Sequence, residues 1–121
     1  MNKLPFFVFI IPTNDEEMMQ LGFLEETVLL LILSMEEEAY GFTVSEAYQK
    51  HTGKSISISA VHTVMSRLEE KKLIESFLGG ATEVRGGRRK RIFKATSKGI
   101  EAVQELKAAR ERLWGQLPDL I

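Results

Sequence analysis

In SISAVHTVMSRLEEKKLIES, residues 57–76, the apolar side chains Val61, Val64, Met65 and Leu68 fall at i, i+3, i+4 and i+7, one stripe along a helix. The opposite face carries Ser59, His62, Thr63, Ser66 and Arg67, which are small or hydrogen-bonding groups. The serines of the preceding KSISIS turn are placed to cap this helix. After Lys72 the helical period stops. IESFLGGATEV and then KRIFKAT read as two strands, with Val84, Ile92 and Phe93 as β-favouring residues and the RGG of residues 85–87 as the turn between them.

Upstream, residues 20–37 form a helix whose Leu21, Leu24, Val28, Leu31, Ile32 and Met35 follow helical spacing. Phe23, Leu29, Leu30 and Leu33 make it apolar nearly all round, so it buries more than one side, and in a chain this small the second side is a dimer contact. AYG at 39–41 is a turn. Thr43 followed by Glu46 reads as a capping box opening a short helix, with Val44, Ala47 and Tyr48 facing inward and Gly53 as its left-handed stop. Downstream, Thr96 and Ser97 sit where a helix cap belongs, and Ile100, Val103, Leu106, Ala109, Leu113 and Leu117 continue as a spaced stripe.

Helix, helix, turn, helix, hairpin, helix is the order of a winged helix-turn-helix. The fold expected is mainly α with a small β-hairpin, plus an extra C-terminal helix that serves dimerisation. With 121 residues and no repeat or linker, one domain covering residues 19–117 is expected. Residues 1–18 are expected to lie outside it, as an upstream extension of the start at Met18 or Met19 or else as an extra strand. The apolar run of residues 4–11 is too short to span a bilayer and makes a weak signal peptide.

The formal net charge of -1 conceals a segregation. Residues 1–46 hold one base against nine acids, whereas residues 47–100 hold twelve bases against four acids. The excess peaks in RGGRRKRIFKAT, residues 85–96, which carries six bases and no acid beside the striped helix. Arg85, Arg88, Arg89 and Lys90 around a glycine turn are what phosphate contact requires, and each neutralised phosphate releases about 0.9 counterion, so a salt-dependent affinity for nucleic acid is expected.

The chain has no cysteine, which excludes disulfides, thiolate zinc sites and thiol nucleophiles and fits a cytoplasmic location. His51 and His62 are the only histidines, and no spacing pairs either with carboxylates as a metal site. Glu36 to Glu38 read as a solvated helix edge, and the paired glycines lack the lysine and hydroxyl of a phosphate-binding loop. Neither an enzyme nor a cofactor is expected.

EETVLLLIL, AYGF, SISAVHTVMSRLEEKKLIES, RGGRRKRIFKAT and the following SKG jointly resemble the PadR family of transcriptional regulators, in particular its short members with a single C-terminal helix. The resemblance implies a homodimeric DNA-binding regulator, commonly a repressor, whose third helix and wing touch the operator. It further implies, for some members, release by an aromatic small molecule bound near the dimer interface. On this reading Ser59, His62, Thr63, Ser66 and Arg67 meet the major groove and Arg85, Arg88, Arg89 and Lys90 hold the backbone or minor groove. Leu24, Val28, Leu31, Val103, Leu106, Leu113 and Trp114 then form the dimer interface or effector pocket. Recognition helices about 34 Å apart in the dimer imply a palindromic operator.

The chain departs from the family pattern at three places. His62 replaces a tyrosine in the recognition helix, giving a contact whose strength depends on pH. Lys72 replaces the glycine that ends that helix, at a cost of about 1 kcal/mol if the left-handed conformation is kept. Ala95 replaces a larger apolar residue and leaves space in the core. The competing class is a winged helix that binds an acidic protein partner instead of DNA.

Overall fold

The computed structural model describes residues 21–79 and 89–119 of the chain. The elements run α1 (Phe23–Ser34), α2 (Gly41–Thr52), α3 (Ile58–Glu70), β1 (Ile74–Leu78), β2 (Arg91–Ala95) and α4 (Ser97–Gly115). β1 and β2 pair antiparallel from Ile74 opposite Ala95 to Leu78 opposite Arg91. The molecule is therefore mainly helical with a two-stranded wing, a winged helix-turn-helix with a long C-terminal helix. The expected extension at residues 1–18, the far part of the first strand and the turn at 85–87 lie outside the described residues.

The α3 stripe is the centre of the core. Val61, Val64, Met65 and Leu68 are buried against Val28, Leu29 and Ile32 of α1, Val44 and Tyr48 of α2, and Leu73, Ile74 and Phe93 of the hairpin. Each fully buried aliphatic side chain stabilises by about 1.5–3 kcal/mol relative to exposure, so this cluster outweighs any single surface contact. Two ion pairs add to it. Lys71 Nζ lies 2.7 Å from Glu25 Oε1, joining the end of α3 to α1. Arg110 of α4 grips both oxygens of Glu26, the one buried charged residue of α1 among the described residues.

Local signals account for most element ends. Ser57 Oγ accepts from Ala60 N at 3.0 Å and caps α3, and Gly53 ends α2 at φ 77°. The start of α2 differs from the expected capping box. Tyr40 is its N-cap residue and Thr43 stands at the third helical position, where its Oγ1 accepts from Tyr40 N at 3.0 Å. α1 is also shorter than the expected span of 20–37. Ser34 Oγ turns back onto the Leu31 carbonyl, and Met35 leaves helical geometry at ψ 95°.

α3 stops at a Schellman turn. Lys72 adopts φ 64°, Lys72 N bonds the Glu69 carbonyl at 2.9 Å, and Leu73 N bonds the Leu68 carbonyl at 3.0 Å. Buried Leu73 and Leu68 supply the apolar contact that accompanies this motif. Replacing Lys72 by glycine removes the left-handed penalty of an L side chain but adds unfolded-state entropy. The net expectation is a gain of about 0.5–1 kcal/mol, read as a rise of a few degrees in the thermal midpoint.

The same corner seats α4. Thr96 Oγ1 donates to the Lys72 carbonyl at 2.8 Å and accepts from Gly99 N at 3.1 Å, while Thr96 N bonds the Leu73 carbonyl at 3.0 Å. Thr96 is thus the expected cap, and it welds the end of α3 to the beginning of α4. Beside Ala95, a cavity of about 340 Å³ opens between α1, the hairpin and α4.

Candidate nucleic-acid interface

α3 presents Ser59, His62, Thr63, Ser66 and Arg67 together on its exposed side, opposite the buried stripe. The face is held at both ends. Ser45 Oγ donates to the Ile56 carbonyl at 2.7 Å, fixing the turn between α2 and α3, and the Schellman turn fixes the far end. Thr63 Oγ1 donates back to the Ser59 carbonyl at 3.1 Å, which leaves its methyl and its lone pairs outward.

His62 is exposed, yet its ring is not free to swing. It meets Phe93 edge-on, with centroids 6.3 Å apart. A Cβ placed on Gly41 would lie 2.5 Å from His62 Nε2, so the imidazole lies across the first turn of α2 because residue 41 is glycine. Gly41→Ala is expected to push the ring off this seat. A loss of about 1 kcal/mol or less in stability should accompany a clear change in the His62 ring resonances, followed by two-dimensional NMR.

The wing begins beside this face. Ala39 accepts a hydrogen bond from Phe93 N at 2.8 Å, which fastens the segment before α2 to β2, and Gly79 N bonds the Lys90 carbonyl at 2.7 Å beyond the last strand pair. Arg89 and Lys90 are exposed there. Lys90 Nζ donates to Tyr40 Oη at 3.2 Å and lies 4.5 Å from the Tyr40 ring centre. Arg91 points into a different network, donating to Ser76 Oγ at 2.9 Å, which in turn donates to Glu69 Oε2 at 2.8 Å. Arg85 and Arg88 lie outside the described residues. Tyr40, which the sequence pattern marks only as part of a turn, adjoins the wing through its contact with Lys90.

Of the residues expected at a dimer interface or effector pocket, Val28, Leu31 and Val103 are buried within the subunit and Leu24 packs against its core. The large apolar side chains that α1 and α4 do expose are Phe23, Leu30, Leu33, Ile100, Leu113 and Trp114, with Leu117 just past the end of α4. Leu106 is half-buried. A groove of about 300 Å³ runs between the two helices, lined by Leu30, Val103 and Trp114 and crossed by the Glu26–Arg110 pair. No helix among the described residues is long and apolar enough to cross a membrane.

Known proteins carry the same frame. No family model matches the chain. An uncharacterised protein of Lysinibacillus sphaericus is 31% identical over 102 residues, covering 83% of this chain and 85% of its own. A PadR-like transcriptional regulator from Bacillus cereus strain ATCC 14579 is 27% identical and superposes with a TM-score of 0.62, over 76% of this chain and 84% of its own. The chain is similar in sequence and fold to PadR-like transcriptional regulators. PadR of Bacillus subtilis, solved in complex with operator DNA, shares the fold at a TM-score of 0.57 and 14% identity, over 82% of this chain and 52% of its own. The Bacillus cereus neighbour is a PadR-like transcriptional regulator, so the chain groups with regulators and not with enzymes.

Proposed function

We propose that this PadR-like protein is a sequence-specific DNA-binding repressor that acts as a homodimer, with residues 19–117 as its working unit. The observation that carries this reading is the exposed face of α3, hydrogen-bonding along its length and rigidly seated, with the cations of the wing beside it. Ser59, His62, Thr63, Ser66 and Arg67 enter the major groove, where an arginine fork can pair with guanine and small hydroxyls can pair with any base edge. Arg85, Arg88, Arg89 and Lys90 neutralise phosphates and fix the register.

The dimer is supported by the large apolar side chains that α1 and α4 leave in solvent, among them Phe23, Leu30, Leu113 and Trp114, which a partner surface would cover. Two recognition helices about 34 Å apart then read a palindromic operator. The groove beside Trp114 is where a planar aromatic effector stacks and releases the DNA, since an indole face and apolar walls suit such a ligand.

The test is binding of the whole chain to duplex DNA from the region upstream of its own gene, across a salt series. The expected outcome is an affinity whose logarithm falls linearly with the logarithm of salt, by about 0.9 per phosphate contacted. Association with an acidic protein that survives nuclease treatment, with no DNA binding, would replace this reading by the interaction-module one.

A further inference from the structure

The contact between Lys90 and Tyr40 joins parts of the chain that do different work. Tyr40 caps α2 and is half-buried, and its own backbone is pinned, N–H to Thr43 Oγ1 at 3.0 Å and the preceding Ala39 carbonyl to Phe93 N at 2.8 Å. Lys90 is the last residue before β2 and stands at the root of the wing. Its ammonium sits 3.2 Å from Tyr40 Oη and 4.5 Å from the ring centre, so the phenol engages the cation by hydrogen bond and by its π face together. An ammonium has three donors, so the contact with Tyr40 leaves others to meet a phosphate oxygen.

We infer that Tyr40 is a positioning residue for DNA binding, holding the Lys90 ammonium at the root of the wing in register with the exposed face of α3. The inference rests on the DNA-binding reading above. A free lysine side chain has many rotamers, and a phosphate contact made from it must immobilise them. Tyr40 has met part of that cost before DNA arrives, because the tyrosine is fixed by α2 and β2. The next residue, Gly41, lies against the His62 ring, so wing and recognition helix take their register from one segment.

The test is a double-mutant cycle on the full chain with a fluorescein-labelled duplex recovered from random DNA by the wild-type protein. Tyr40→Leu is expected to weaken binding about five-fold, Tyr40→Phe to stay within about two-fold because the π face remains, and Tyr40→Leu to cost nothing further in a Lys90→Met background. Thermal melts check that each variant is folded, and Tyr40→Met, which also removes the ring, carries the cycle if Tyr40→Leu is not. Full affinity in a folded Tyr40→Leu, or an undiminished loss in the Lys90→Met background, overturns the positioning role while leaving DNA binding intact. Failure of the wild type to recover any duplex overturns the DNA reading and this inference with it.

Discussion

Gly99→Ala is expected to destabilise the protein by about 3 kcal/mol, enough to lower the thermal midpoint by about 12 °C or more for a domain of this size. A Cβ on Gly99 would overlap the carbonyl oxygen of Leu73, a backbone atom that cannot rotate away. Two opposing effects are in play. Alanine gains up to about 1 kcal/mol over glycine by helix propensity, less in a first turn. Against this, the overlap forces α4 away from the corner where Thr96 N bonds the Leu73 carbonyl at 3.0 Å, and draws Ala102 and Val103 from the core. The overlap wins because backbone on both sides must move. Urea unfolding of the variant measures it, and a variant as stable as the parent would contradict the packing described at this corner.

Arg67→Ala is expected to lower affinity for the cognate DNA by about thirty-fold, roughly 2 kcal/mol, with little change for random duplex. Arg67 is exposed on the outer side of α3 with Ser66 and Thr63, and in the proposed complex its guanidinium would pair bidentately with a base edge where lysine would not. Arg89→Ala should behave differently, weakening all DNA alike and flattening the salt slope by about one contact. Anisotropy titrations of both variants against cognate and random duplexes separate the two roles. Equal loss on both duplexes for Arg67 would move it from base reading to backbone contact.

How far the sequence made this legible depends on the range of the interaction. The α3 stripe, the Ser57 and Thr96 caps and the Gly53 stop rest on contacts within a turn or so, and spacing reports them faithfully. Lys72 likewise keeps the left-handed geometry expected of a residue in a glycine's place. The start of α2 was read one turn late because a threonine can serve either as the cap or, as Thr43 does, as the third residue answering the cap's N–H.

Partner-facing residues were harder. Periodicity marks Val28, Leu31 and Val103 as apolar but cannot say whether an apolar side faces its own core or another subunit. The Tyr40–Lys90 contact spans 50 residues and the Gly41–His62 seat depends on how two helices cross, so neither leaves a mark in local pattern.

Selection of duplexes from a random pool by the whole chain is the measurement that bears most directly on a paired, base-reading α3. The expected result is enrichment of an inverted repeat with half-sites about 10 base pairs apart, or a multiple of that, bound about a thousand-fold more tightly than random DNA and lost in Arg67→Ala. Recovery of no common sequence, with binding equal across the pool, would contradict it.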